Sequence, residues 1–360
     1  MKIGIDLSMV DENKAGIGYY ASESTRQLIL LDKESIFYLY TYNKNLVSSF
    51  SQLNNVKVVE IKSNRPNLKW IIKTYIDFKK KKIDYFISPS NFMFGVLFSR
   101  TIQIIHDLLP IKRSEFWPKK AGIFYKYQLK LASRRAFGFA VNSEATKNDL
   151  NYYFPKTKDK AFYIGGGLNE WAKKNYTNKE LEVSKEKLQL PENYFFSAGT
   201  LQPRKNYEGM IKAFYEFKKD HSEFKYLISG GKGWYYDHIF KIVKDLKLED
   251  DVIFLGYTDE IDFPALIKFS SGFLWVSHDE GFGMPCLEAY AFGKPILTSD
   301  IPVLREVMEE NAFFVDPNNI SAIVKGMSNI LSVGDQKVNK EFLNKHSWKN
   351  VAKRLKNIYI

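Results

Sequence analysis

A single cysteine, Cys286, in a chain of 360 residues leaves no internal disulfide framework and fits a reducing compartment. No apolar run approaches the roughly 18 residues of a membrane-crossing helix, so none is expected. The opening stretch MKIGIDLSMVDENKAG has no apolar core segment, and no signal peptide is expected from it. There is no D-x-D. The nearest approach, Glu260-Ile261-Asp262, reads as the solvated face of a helix, and the five histidines and one cysteine form no metal-binding cluster. Nor is there a G-x-G-x-x-G, so a classical dinucleotide site is not supported. Short repeats and low-complexity segments are also missing. What remains is a globular composition, 45% hydrophobic and 26% charged, in a chain long enough for two domains.

Charge is unevenly spread. Residues 1–180 hold 30 Lys and Arg against 16 Asp and Glu, a balance of +14, whereas residues 181–360 hold 23 against 25, a balance of −2. A basic half faces an anionic partner, either nucleic acid or phospholipid headgroups. Two segments concentrate it. KWIIKTYIDFKKKK (69–82) ends in four lysines. EFWPKKAGIFYKYQLKLASRRA (115–136) interleaves Lys119, Lys120, Lys126, Lys130, Arg134 and Arg135 with Trp117, Phe124, Tyr125 and Tyr127. Aromatic rings among cations suit a membrane interface, the competing reading being that the rings are core and the lysines a solvated rim.

Elements alternate along the chain. KIGID, IFYLYTY, VKVVEI, DYFISPS, TIQIIHD and FGFAVNS read as strands, separated by helical stretches at 18–31, 68–82 and 119–136. The pattern restarts after residue 190 with YFFSAG, KYLISGG, DVIFLG, GFLWVS, PILTSD and AFFVD. Alternation in both halves predicts an α/β protein of two parallel-sheet, Rossmann-like domains. The polar stretch 168–190 reads as the linker. The domains are expected at 1–170 and 171–342, with a final helix in 343–360 that can pack back on the first. Ligands of such sheets sit at the C-terminal ends of the strands, so the active site is expected in a cleft between two facing domains.

Four strand-end loops carry the chemistry. In SHDEGFGMPCLEAYAFGKPIL (277–297), Gly281 and Gly283 let the backbone approach a ligand. The N–H groups of Phe282, Gly283 and Met284, at a helix start, face an anion. Glu280 precedes that start. Glu288 lies inside the helix, where a carboxylate accepts from vicinal hydroxyls such as a ribose's. In AGTLQPRKN (198–206), Arg204 and Lys205 offer a guanidinium fork and an ammonium point charge to a diphosphate. In QIIHDLLP (103–110), His106 ends a strand where it can bond a sugar hydroxyl or a phosphate, although taken alone an ordinary structural histidine is the stronger reading. In NKAGIGYY (13–20), Gly16 and Gly18 form a short glycine-rich turn before a helix, suited to a backbone contact with phosphate.

Together these loops resemble the retaining glycosyltransferases of family four, which have the GT-B fold. The resemblance runs over nearly the whole chain and is strongest from SAGTLQPRKNYEGMIKAF through LISGG, VIFLGY, the Glu280–Glu288 loop and LREV. HDLLP and GTLQPRKN look most like bacterial mannosyltransferases of surface-polysaccharide assembly. The resemblance implies that Arg204 and Lys205 hold a donor diphosphate and that Glu288 holds its ribose. It puts Glu280 on the transferred sugar and His106 on the reacting face, these two acting in catalysis with Arg204 and Lys205. Thr200, Gly256 and Tyr257 join the donor contacts. Many members carry arginine where this chain has Thr200, so the exact phosphate contacts differ here. The expected donor is GDP-mannose or a UDP-sugar, with no cofactor and no metal. Leaving-group charge would then fall to the cations and helix N-termini. The acceptor is a glycan or lipid-linked glycan, reached by a cytoplasmic protein peripheral at the inner face of the membrane. Rival readings are a nucleotide-sugar epimerase of the same shape and a nucleic-acid-binding protein that uses the basic half.

Overall fold

The computed structural model describes residues 1–11, 16–63, 67–89, 92 and 94–360. The chain divides into two compact units, Met1–Gly167 with Lys345–Ile360, and Leu168–Asn344.

The first unit holds strands β1 (Lys2–Asp6), β2 (Ile36–Thr41), β3 (Val56–Glu60), β4 (Tyr85–Ser88), β5 (Thr101–Ile105), β6 (Gly138–Val141) and β7 (Ala161–Tyr163). They form one parallel sheet in the order β3-β2-β1-β4-β5-β6-β7. Strands covered on both faces read as continuous apolar runs, and IFYLYT and GFAV do so. The crossovers include α1 (Gly16–Leu31), α2 (Leu68–Lys81), the short α3 (Leu109–Lys112), α4 (Lys119–Arg135) and α5 (Glu144–Tyr153). Asn67 and Ser143 start α2 and α5 by accepting the amides of Trp70 and Thr146. The C-terminal helix Trp348–Lys356 packs on α1, with Trp348 edge-on to Tyr20 at 5.1 Å. One side of the sheet is packed with rings: Trp70, Phe78, Phe86, Phe94 and Phe98 share a core cluster.

The second unit holds β8 (Tyr194–Ala198), β9 (Lys225–Ser229), β10 (Val252–Gly256), β11 (Gly272–Trp275), β12 (Ile296–Ser299) and β13 (Phe313–Val315). They are parallel in the order β10-β9-β8-β11-β12-β13. Its helices are α6 (Glu170–Lys173), α7 (Asn178–Leu188), α8 (Tyr207–Phe217), α9 (Asp237–Asp245), α10 (Phe263–Lys268), α11 (Met284–Ala291), α12 (Pro302–Met308) and α13 (Ile320–Val333). The order switches direction between β8 and β11, so the loops after these two strands leave the sheet side by side.

Three sequence expectations are corrected. The stretch 168–190 is not a structureless linker. It holds α6 and α7, and α7 is started by a capping box in which Thr177 and Glu180 exchange hydrogen bonds. Asp262 is not on a solvated helix face. It is buried just before α10 and accepts from Ser184 Oγ at 2.8 Å and Lys187 Nζ at 2.5 Å. Gly16 and Gly18 lie in the first turn of α1 rather than in a turn before it. A Cβ on Gly18 would come within 2.5 Å of the Met9 carbonyl oxygen, so this glycine serves a close packing contact. Residues 13–15 of that loop lie outside the described residues.

Candidate functional site

The loops after β8 and β11 are bound into one cluster of charges. After β8 the chain makes a short turn, Pro203–Lys205, and Asn206 follows in the left-handed region with φ of 54°. Asparagine tolerates this conformation, and its side chain holds it in place. Asn206 Nδ2 donates to the carbonyls of Val276 and Pro317, and Oδ1 accepts the Gly209 amide at the start of α8. The His278 amide donates to the Arg204 carbonyl at 2.9 Å, tying the two loops together.

Within this frame Glu280 receives both cations. Arg204 Nη1 lies 2.7 Å from Glu280 Oε2, and Lys205 Nζ lies 2.8 Å from Oε1. Arg204 also donates to the Asp279 carbonyl, while Lys205 Nζ sits 4.0 Å from the centre of the Trp275 ring. All three charged side chains are nearly buried. Burial pushes the Glu280 carboxyl up, but Arg204 and Lys205 outweigh it and hold it below the ordinary range. Lys205 is driven down to about 8, by burial first and by Arg204 second, with Glu280 pulling the other way. Asp279, also buried, accepts the Glu280 amide at Oδ1, so two cations and two acids meet at the mouth of the sheet.

The second glutamate is in a different state. Glu288 lies on α11, buried, and accepts a hydrogen bond from Asn169 Nδ2 at 2.6 Å. Burial, then the nearby charge of Glu260, raises its pKa to about 8. Near neutral pH one carboxyl of the pair is therefore ionised and the other protonated. The turn between them needs Gly283. It precedes α11 at φ of 102°, and a Cβ there would meet Leu304 Cδ2 at 2.6 Å. Phe282 is buried, and Met284, half-buried, opens α11 with Pro285 beside it.

The state of Glu288 has a measurable consequence. A carboxyl raised from the ordinary 4.5 to about 8 favours the fold below 4.5, and that contribution is lost as pH rises to about 8. Glu288→Gln removes the titration while still accepting from Asn169. Its melting temperature should match the wild type near pH 4.5 and exceed it progressively towards pH 8. A constant difference across that range would show that Glu288 is not held protonated by the fold.

The other predicted residues are spread more widely. Thr200 and Tyr257 are exposed near the ends of β8 and β10, and Gly256 ends β10 with φ of 68°. These loop ends are tied by backbone bonds from Gly199 to Ser229 and from Gly230 to Gly256. His106 follows β5 in the first unit. Its Nε2 is 2.9 Å from the Pro89 carbonyl, which can only accept, so Nε2 carries the proton and Nδ1 a lone pair. Burial lowers its pKa to about 4 and keeps it neutral. It lines a pocket of about 380 Å³ with Ile17, Asp107, Trp117, Phe124 and Tyr125. A neutral histidine there can accept from a hydroxyl but is not an acid at neutral pH. Sequence reasoning missed Asn169, Asn206 and Trp275. Only Asn206 carried a local signal, as the residue between a basic turn and a helix start. Among the described residues, no three His, Cys, Asp or Glu come together as metal ligands, and no helix is long and apolar enough to cross a membrane.

Residues 178–345 match the family described as Glycosyl transferases group 1. The O-antigen chain mannosyltransferase RfbU of Salmonella typhimurium is 27% identical over 84% of this chain and 79% of its own. The O-antigen chain mannosyltransferase B of Escherichia coli is also 27% identical, over 67% of this chain but only 63% of its own length. Among solved structures, Anabaena Alr3699/HepE in complex with UDP and glucose superposes with a TM-score of 0.74 at 15% identity, covering 99% of this chain and 98% of that one. The chain has the GT-B fold.

Proposed function

We propose that this chain, whose second unit is a Glycosyl transferases group 1 domain, moves a hexose from a nucleoside diphosphate sugar to a glycan of surface-polysaccharide assembly. The observation that carries this reading is the buried Arg204–Lys205–Glu280 cluster at adjoining strand ends, with the start of α11 on the Glu280 loop. Its two adjacent cations suit a diphosphate, to which arginine gives a fork and lysine a point charge. Lone pairs left on Glu280 accept from a hydroxyl of the transferred sugar. Glu288 and Asn169 present a protonated carboxyl and an amide to the ribose hydroxyls. His106, neutral, accepts from the acceptor or the sugar.

The relatives' names support mannose as the sugar; GDP-mannose is our expected donor, and the UDP complex of the structural neighbour keeps a UDP-sugar as the alternative. The reaction retains the anomeric configuration. The leaving diphosphate departs into the Arg204–Lys205 cations, takes the acceptor's proton and leaves on the face from which the acceptor attacks. The cations stabilise the departing charge in place of a metal. A lipid-linked acceptor and an anionic membrane surface fit the basic first unit. A nucleic-acid-binding reading would leave the ion-paired glutamate loop without a task.

The test is a transfer assay with GDP-mannose and UDP-sugars on a lipid-linked glycan, with the product's anomeric configuration read by NMR. Transfer with an α-linked product should survive excess EDTA. A β-linked product from an α-linked donor, or a loss that magnesium or manganese restores, would overturn the retaining or the metal-independent part.

A further inference from the structure

On the first unit, two helices expose apolar side chains where water should favour polar ones. Helix α2 buries Trp70, Ile71, Thr74 and Phe78 on one side. Its other side carries Leu68, Ile72 and Ile76 at i, i+4 spacing, and they are 69%, 48% and 59% exposed. Lys69, Lys73, Lys79 and Lys80 flank that stripe. Helix α4 repeats the arrangement. Ile123, Phe124 and Tyr127 are 71%, 58% and 61% exposed, with Lys119 and Lys120 a turn before and Lys130 and Arg134 a turn after.

Both helices lie on one face of the sheet. Helix α2 links β3 to β4 and α4 links β5 to β6, and both crossovers run in the same direction along the strand order. Right-handed connections therefore place them on the same side. The side chains agree, because one pocket of about 480 Å³ is lined by Lys79 and Lys82 from the end of α2, Arg100 before β5 and Arg135 at the end of α4. Exposed Leu97 and Ser99 complete its rim. Asp84 is its one acid, 4.0 Å from Arg100, and Asp77 nearby is held by Lys81 and the Tyr40 hydroxyl. The pocket lies where α2 and α4 end and β4 and β5 begin. It is at the opposite edge of the sheet from His106, which follows β5.

We propose that this face seats on an anionic phospholipid bilayer. A lipid phosphate sits among Lys79, Lys82, Arg100 and Arg135, and the α2 and α4 side chains enter the acyl boundary on either side. The inference deepens the membrane reading above and rests on it, by naming the face and the headgroup chemistry. An aliphatic stripe on α2 and a largely aromatic one on α4, both rimmed by lysine, match a bilayer interface, which pairs apolar depth with anionic headgroups. Single exposed apolar residues are ordinary, but five of them on two helices of one sheet face are not, even with Phe124 left to the His106 pocket.

The experiment is co-sedimentation of the full chain with vesicles of pure phosphatidylcholine, or with phosphatidylglycerol added, at low and high salt. Calorimetry with a nucleotide sugar is run on each protein. The wild type should pellet with the anionic vesicles and less so at high salt. Replacing Lys79, Lys82, Arg100 and Arg135 with serine should lower that partition by at least about tenfold. The variant Ile72→Ser, Ile76→Ser, Ile123→Ser should lose the part of binding that survives salt. Nucleotide-sugar binding should be unchanged in both variants. Wild type left in the supernatant, or a serine variant that pellets like wild type, would overturn the proposal. So would thermal stabilisation by inorganic phosphate without vesicle binding, which would make the pocket a soluble-anion site. Vesicle binding without nucleotide-sugar binding would leave this inference standing and sink the donor reading.

Discussion

Glu280→Gln should lower the melting temperature by roughly 10 °C, since breaking a buried ion pair costs about 3–5 kcal/mol. The reason is local. Each Glu280 oxygen meets a different cation, and glutamine would leave Arg204 and Lys205 side by side without the carboxylate they share. Turnover should fall as well, because the carboxylate that meets the sugar is gone. A nucleoside diphosphate brings new negative charge to the two cations, so it should raise the melting temperature more in Glu280→Gln than in the wild type. Differential scanning calorimetry with and without the free diphosphate measures both effects. A variant as stable as wild type would show that Glu280 is not the counter-ion of this cluster.

Arg204→Ala and Lys205→Ala should each weaken nucleoside diphosphate binding by roughly ten- to a hundredfold, since a charge-assisted hydrogen bond contributes about 1.5–3 kcal/mol. The larger loss is expected for Arg204, which also donates to the Asp279 carbonyl and so holds the Glu280 loop. Lys205→Ala removes a cation that burial already disfavours, which softens its effect on stability but not on the ligand. Isothermal titration with the free diphosphate separates this from damage to chemistry. Wild-type affinity in both variants would remove the pair from the donor site.

Much of this was legible in the sequence because the strands are buried on both faces and read as uninterrupted apolar runs. IFYLYT and GFLW need no partner to be recognised. Arg204, Lys205 and Glu280 were legible as site residues for a similar reason, since each stands at the end of such a run. Their mutual pairing was not, because it spans 75 residues and depends on β8 and β11 being neighbours in the sheet. Asn169 shows the same limit. It reaches Glu288 across 119 residues from a stretch whose polarity suggested only a linker. The helix α7 in that stretch did carry a signal, Thr177 three residues before Glu180, which the polar composition masked. Asp262 read as solvated because nothing local shows that Ser184 and Lys187 come to it from α7.

The central claim is that the charged cluster of the second unit binds a nucleoside diphosphate sugar. Thermal stabilisation by a panel of nucleotide sugars tests it most directly, run in parallel on wild type and Arg204→Ala. The account predicts that one donor, GDP-mannose first, raises the wild-type melting temperature, and that the same concentration barely moves the variant. No stabilisation by any nucleotide sugar, or equal stabilisation of both proteins, would contradict it.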